Sequence, residues 1–494
     1  MMRSLFSGVA GLRTHQTRMD VIGNNIANVN TVAYKSSSMT FQNILYQNTQ
    51  NASGPNPNTG RAGINPKQIG LGVTTGSIAT SITQGGAVEN TGNPFDIKIN
   101  GNSFFIVSDG VSASNYYTRA GAFNVDADGT LCMSTNGYVV MGYGTMETGD
   151  GEAKTTEIDT SQLKKLTIMS EANSNSPASK TVKSYMTGIL DAESPALNTA
   201  KGQIVTVPFY DSKGYSYTAQ YSIKPGVTTE DPPGAGKSGY SVTITDIFDS
   251  DGKTIFVKAD GTEMSTEEKI DALAAAGDLK PTKVSTGTPP VISMGASTKV
   301  ITFDKNTGKL TFPEPDPTTK EQNLTITMGG LNPYFKGEMD NMTMDLSTLI
   351  NVGHNGNSTI SGGKGTVDST EGAGWPVGEL SNISIAVDGQ ITGTYTNGQS
   401  KLLGQIAVAT FSNAAGLNKE GDNLYTATMN SGDAIVGDIT ADGGSMNTGQ
   451  LEMSNVDLSQ EFTTMITTQR GFQANSRMIT GSDTMLEDRV NLKR

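Results

Sequence analysis

The 494-residue chain is acidic: 35 Lys plus Arg stand against 48 Asp plus Glu, for a formal net charge of −13. Only 35% of residues are hydrophobic, Gly numbers 58, and there is one Trp and one Cys, Cys132. This balance disfavours nucleic acid and anionic membranes as partners and excludes an intrachain disulfide or a multi-cysteine metal site. It fits several thin β-domains, about three at a prior of ~150 residues each.

The first residues, Met1-Met2-Arg3-Ser4-Leu5-Phe6, carry no continuous apolar core or cleavage pattern of a signal peptide. No run approaches the ~18 apolar residues of a membrane span. A helix is expected from about Ser4 to Asn28, where the Asn-rich run Asn24-Asn25-Ile26-Ala27-Asn28-Val29-Asn30-Thr31 breaks it. Leu5, Gly8, Leu12, His15, Met19, Ile22, Ile26 and Val29 alternate by three and four, the spacing of a coiled-coil seam. Gly8, Gly11 and Gly23 each weaken that helix by about 1 kcal/mol relative to Ala, so it is expected to be marginal alone and to order against neighbours.

Residues 31–70 read as an extended linker, Asn-, Gln-, Gly- and Pro-rich around Gly54-Pro55-Asn56-Pro57-Asn58. Strand signals begin at Leu71. Asp96–Ile99, Gly101 and Phe104–Val107 read as strand, turn and strand, and hairpins are expected around Asp126–Gly129 and Asn136-Gly137. The segment 145–373 is richer in Ser, Thr, Lys and Pro. It repeats an aromatic-Asp-turn-Gly pattern at Tyr210–Gly214, Phe248–Gly252 and Phe303–Gly308. Within it only Ser265 to Ala276 looks helical, with Ile270, Leu273 and Ala274 on one face.

Strand patterns return from Gly378 to about Ile435. The chain then closes on a second 3-4 alternation: Leu458, Phe462, Met465, Gln469, Phe472, Ser476, Ile479, Asp483, Leu486 and Val490. The expected fold is mainly β with α-helical termini. Residues 1–30 and 446–494 form a coiled-coil helix pair, 71–144 and 374–445 an inner β-domain, and 145–373 an outer β-insert of one or two sandwich- or barrel-like domains.

Catalytic, cofactor and metal motifs are weak. Gly234-Ala235-Gly236-Lys237-Ser238 lacks the first glycine of a phosphate loop, where Asp231 stands instead. Asn124-x-Asp126-x-Asp128-Gly129 mimics half an EF-hand loop but has Thr135 in place of the closing Glu, so a hairpin turn is the better reading. The two histidines, His15 and His354, sit in no recognisable nucleophile setting. The chain is read as a non-enzyme without cofactor or metal.

Both ends resemble the bacterial flagellar rod and hook family. At the N-terminus the resemblance rests on Ser4–Leu12 and on Met19–Thr31, including Asn24, Asn25, Asn28 and Asn30. At the C-terminus it rests on Gly449–Leu458, with Asn455 and Asp457, and on Gln469-Arg470-Gly471-Phe472-Gln473-Ala474-Asn475. Leu403–Asn413, Gly421–Tyr425 and Val207–Gly214, with the long middle insert, favour the hook branch over the shorter rod relatives. Ala33 departs from the family, where many members carry Gly before the aromatic residue.

The resemblance implies a self-assembling subunit of a curved hollow tube that acts as a universal joint between rod and filament and transmits motor torque. Leu5, Leu12, Met19, Ile22, Ile26, Leu458, Phe462, Met465, Phe472, Ile479 and Leu486 would be its assembly residues. Its implied partners are other copies of itself, the distal rod protein, the hook cap, the hook-filament junction protein and the flagellar export apparatus. It would be extracellular, exported without a cleaved signal peptide, and inserted in no membrane. Some family members join subunits covalently through Cys and Lys, which makes Cys132 a candidate for such a link. The alternatives are a rod-type axial subunit and an extracellular β-rich adhesin.

Overall fold

The computed structural model describes residues 2–55, 60, 62–110, 114–148, 155–226, 237–258, 260–265, 268–269, 272–273, 281–283, 292–294, 299–315 and 321–492. The chain divides into two compact units: Met1–Ser174 with Asn382–Thr394 and Ser400–Arg494, and Asn175–Ser381 with Tyr395–Gln399. The first junction falls after Ser174 rather than at 145, because strands Val139–Thr148 and Thr155–Lys165 pair as one antiparallel hairpin across that point.

The first unit holds the N-terminal helix, Met2–Ala27, and the C-terminal helix, Leu458–Asn491. The second helix starts where Asp457 caps it: the carboxylate accepts from the N–H groups of Ser459 at 2.9 Å and Gln460 at 3.2 Å, satisfying two donors that have no helical partner. Glu461 in its first turn and Arg489 in its last complement the helix dipole.

The linker expected over 31–70 is instead largely a β-ribbon. Strand β1 (Ser37–Asn43) pairs antiparallel with β4 (Val73–Thr80), and β2 (Tyr46–Gln50) with β3 (Lys67–Gly70). Most of its side chains are exposed on both faces, so alternation gave no strand signal. Backbone pairing defines it, with cross-strand side-chain bonds such as Gln68 Nε2 to Asn48 Oδ1 at 2.7 Å. Asn56–Asn58, expected at the centre of the irregular stretch, lie outside the described residues.

Strand β5 (Val88–Asn90) pairs with Gln450–Glu452, and β6 (Ile97–Asn100) with Ser445–Thr448. Strand β7 (Phe104–Ser108) pairs with β8 (Asn115–Thr118). The strand-turn-strand expected at 96–107 is therefore two strands with different partners, separated by Gly101 at φ +135°. Strands β9 (Phe123–Val125) and β10 (Leu131–Met133) form a hairpin, and β10 continues through Asn136-Gly137 to a pairing of Cys132 with Val139. Phe104, Ile106, Tyr117, Tyr143, Ala407, Ala409 and Tyr425 make one buried cluster. Phe105 and Phe123 meet edge to face at 5.0 Å.

In the second unit, one five-stranded sheet runs in the order Gln203–Tyr210, Ser216–Pro225, Lys237–Asp249, Lys299–Asp304, Leu310–Phe312. A second is built on Lys183–Leu190, flanked by Asn341–Asp345, Leu349–Asn351 and Thr359–Lys364. Alternate residues of Gln203–Tyr210 and Ser216–Pro225 point inward, so Val205, Val207, Phe209, Tyr217, Ala219 and Tyr221 are buried with Phe303 and Ile326 in a common core. The aromatic-Asp-turn-Gly pattern has one physical basis. Asp211 accepts from the N–H groups of Lys213 and Tyr215, and Asp249 from those of Asp251 and Lys253. Asp304 accepts from those of Asn306 and Thr307. In each case a glycine follows at positive φ: Gly214, Gly252 and Gly308. Asp126 makes the same turn in the first unit, accepting from the N–H groups of Asp128 and Thr130 on either side of Gly129. The apparent EF-hand is this turn.

Of the helix expected at Ser265–Ala276, Ser265 and Glu268 cap each other reciprocally. Glu268, Lys269, Ala272 and Leu273 are helical, while Ile270, Ala274 and the glycines at 234 and 236 lie outside the described residues. No helix among the described residues is long and apolar enough to cross a membrane.

Candidate functional site

The two terminal helices pack antiparallel in a continuous register. Ser4 Oγ lies 3.5 Å from Ser482 Oγ. A Cβ on Gly8 would sit 3.2 Å from Ile479, one on Gly11 2.6 Å from the Asn475 amide, and one on Gly471 2.7 Å from the His15 ring. At the far end Asn25 Nδ2 donates to Glu461 Oε1 at 2.9 Å. Steps of three and four run down both helices, as expected of a coiled-coil pairing. The residues in contact, however, are 4, 8, 11, 15 and 25 against 461, 471, 475, 479 and 482, with Ile22 and Thr468 on the same two helix faces.

Small and polar residues therefore form much of the seam. Gly8, Gly11, Thr14, Thr468 and Ser482 are buried, whereas no apolar residue of the C-terminal helix is fully buried. Among the described side chains of the N-terminal helix, Ile22 is the buried large apolar one, at 3% exposure. Leu5, Leu12, Met19 and Ile26 are half-buried, as are Met465, Phe472, Ile479 and Leu486. Leu458, Phe462 and Val490, expected in the seam, are exposed on the surface. Gln469 and Asp483, expected at seam positions, are exposed as well. The close approach that the glycines permit excludes bulky side chains from the contact.

His15 occupies one of the tight points. Its ring faces Gly471, meets Phe41 of β1 edge-on at 5.2 Å, and its Nδ1 is buried without a hydrogen-bond partner. Arg18 lies over the same Phe41 ring at 5.2 Å. Burial, and then the Arg18 charge, hold the His15 imidazole below its ordinary range.

Below the helix pair, the turn at Thr31–Ser37 is held by a polar clasp that joins the two ends of the chain. Asn25 Oδ1 accepts from the Ser37 N–H and Asn25 Nδ2 donates to the Ser37 carbonyl. Asn24 Nδ2 donates to the Tyr34 hydroxyl, and Asn28 Nδ2 to the Asn24 carbonyl. Asn455 accepts from the Ser36 N–H at 2.7 Å and donates to the carbonyls of Ser81 and Gln84. Asn24, Asn25, Asn28, Asn455 and Asp457, singled out by family resemblance, thus each satisfy backbone or side-chain groups at the helix ends. Asn30, Gln469 and Arg470 are exposed and lie outside the clasp.

Sequence reading did not single out the ionic centre of this clasp. Lys35 Nζ lies 2.7 Å from Glu452 Oε1, both side chains being at most 1% exposed. Glu452 Oε1 also accepts from the Gly86 N–H, and Lys35 also donates to the Gln84 carbonyl. Arg119 stands 3.8 Å from Glu452 Oε2, donates to the Gly101 carbonyl and covers the Phe104 ring. Burial lowers the Lys35 ammonium below its usual range despite Glu452, and burial likewise lowers Arg119. Nearby, burial pushes the Tyr425 phenol up to about 12.

Ala33, where the family pattern favours Gly, adopts φ +56° and donates its N–H to the Glu452 carbonyl at 2.7 Å. The left-handed turn is kept in spite of a Cβ that costs about 1–2 kcal/mol there. The only sequence clue to the ionic centre was a buried-type neighbourhood, Ala33-Tyr34, around a lysine. Elsewhere, His354 donates its N–H to Asp191 in a loop contact. Cys132 is half-buried, and burial raises its thiol above the ordinary range, which keeps it protonated. No group of three or more metal-ligating side chains occurs among the described residues.

Three family models match the chain: flagella basal body rod protein over residues 5–35, flagellar hook protein FlgE/F/G D1 domain over 98–174, and flagellar basal body rod FlgEFG protein C-terminal over 447–492. The chain is 35% identical to the flagellar hook protein FlgE of Treponema pallidum over the whole of both chains. It is 33% identical to that of Borreliella burgdorferi, again over the whole of both. Against that of Escherichia coli it is 30% identical, over 98% of each.

Proposed function

The chain belongs to the flagellar hook protein family, and on that premise we propose that its paired terminal helices are the surfaces through which copies assemble. It is a structural subunit of the flagellar hook and not an enzyme. One observation carries the proposal. The helices meet through glycine, serine and threonine, while Leu458, Phe462 and Ile466 stay 38–55% exposed. Burying such side chains contributes about 1.5–3 kcal/mol each, and in an isolated chain that contribution is not realised.

In this reading the helices form the inner wall of a hollow tube and the β-units its outer layers. Residues 1–30 and 446–494 supply that inner wall. The tube is curved, links rod to filament as a universal joint and passes on motor torque. Contacts between the polar β-units exchange through water as the curve rotates. The distal rod protein, the hook cap and the hook-filament junction protein meet this polymer at its ends. The subunit reaches its place outside the cell through the flagellar export apparatus.

Electron microscopy of the purified protein under polymerising conditions tests this: hollow helical tubes are expected. Leu12→Asp or Phe472→Asp is expected to abolish tubes while both β-units keep their thermal transitions. Normal tubes from either variant would overturn the assignment of the helices.

A further inference from the structure

Two groups of exposed large apolar side chains stand on the C-terminal helix and its C-cap, Leu492, while Val490, at 66% exposure, belongs to neither. Leu458, Phe462 and Ile466, at steps of four, share one flank near its start. Met478, Met485 and Leu492, at steps of seven, share another near its end, at 55%, 54% and 87% exposure. At 3.6 residues per turn, Phe462 and Met485 point about 140° apart and lie roughly 35 Å apart along the axis. The seam residues Thr468, Asn475 and Ser482 occupy the arc facing the N-terminal helix, and each apolar group lies to a different side of that arc. Arg470, Gln473 and Arg477, all exposed, fill the surface between the two groups.

We propose that these are two complementary halves of one head-to-tail contact: the Leu458-Phe462-Ile466 group of one subunit seats on the Met478-Met485-Leu492 group of a second copy. The inference rests on self-assembly through the terminal helices and adds the polarity of the contact. If each patch paired with its own equivalent, successive subunits would alternate in direction, whereas a tube with distinct rod and filament ends needs a contact between different patches. The chemistry suits that pairing. Flexible methionine side chains adapt to an aromatic and β-branched surface better than two rigid patches adapt to each other. The polar strip of Arg470, Gln473 and Arg477 disfavours a continuous apolar face, and so keeps the two patches distinct.

Two full-length double variants test this: Phe462→Glu with Ile466→Glu, and Met478→Glu with Met485→Glu. All four positions are exposed, so helix content by circular dichroism is expected to match the wild type. The neutral pairs Phe462→Gln with Ile466→Gln and Met478→Gln with Met485→Gln repeat the measurement should charge disturb the helix. Each variant alone is expected to stay monomeric in sedimentation velocity. An equimolar mixture is expected to form a one-to-one heterodimer at least tenfold more tightly than either associates with itself, because one intact patch of each kind remains. Tubes from either variant alone, or homodimers of either, would overturn the proposal. A mixture that stays monomeric while the wild type polymerises would show that the patches do not meet each other. Failure of the wild type to polymerise would instead remove the self-assembly reading, and this inference with it.

Discussion

The second unit and the terminal helix pair place apolar side chains in opposite ways. In the second unit Phe209, Tyr221, Phe256 and Phe303 are completely buried, and in Gln203–Tyr210 only Ile204, at 36%, is an exposed large apolar side chain. In the helix pair the buried residues include Gly8, Gly11, Thr468 and Ser482, and large apolar side chains face outward. Stability of the second unit is an internal property. Stability of the helix pair is incomplete until something covers it, which is what a protein that is both a folded body and a building block requires.

The contrast can be sharpened by paired substitutions. Phe303→Ala is expected to lower the stability of the second unit by about 3–5 kcal/mol through lost burial and a residual cavity. Its thermal transition should drop in calorimetry while tubes still form at low temperature. Glu452→Ala leaves Lys35 buried without its counter-charge, at a cost of about 3–5 kcal/mol, and this should appear only in the first unit. Hydrogen exchange should show lost protection at residues 25–37 and 450–461 together. Retained protection there would mean that the clasp does not depend on the ionic centre.

Gly471→Ala drives a methyl group against the His15 ring and is expected to cost about 1–3 kcal/mol of helix pairing. Exchange along both helices reads it, with Gly481→Ala, where the space is open, as the control. The pH dependence of the pair follows from His15. Its folded form binds a proton less readily than the unfolded chain, so its stabilising contribution is present above the ordinary histidine range and is lost as pH falls through the lowered value. Protection of the helices should therefore be weaker at pH 5 than at pH 7.5, and His15→Gln should remove most of that difference. Smallest of all, Phe462→Ala should leave monomer stability within about 0.5 kcal/mol of wild type while reducing tube yield.

Much of the architecture was legible because its signals are local. The helical ends announce themselves by spacing and caps, and the hairpins by Asp-turn-Gly chemistry. The seam was half legible: Gly8, His15, Ile22 and Ile479 lie in it, but Leu458 and Phe462 do not. Periodicity identifies a face, and assigning the apolar face to the interior is a rule for monomers that this helix pair reverses. The ionic centre was not legible because Lys35 and Glu452 are 417 residues apart in sequence, and neither residue type advertises burial. Asn25 and Asn455 were marked by resemblance, yet what they do is visible only once Ser36, Ser37 and Ser81 converge on them.

The antiparallel register of the first and last helices also sets an order of events. A chain is synthesised from its N-terminus, so Ser4, Gly8 and Gly11 exist long before the residues at 475–482 that they face. For nearly the whole length of the polypeptide the opening helix has no mate, and a chain cut short anywhere before Leu458 never acquires one. Closure of the pair is thus a test of completeness: only an intact molecule can present a finished helix pair to its neighbours.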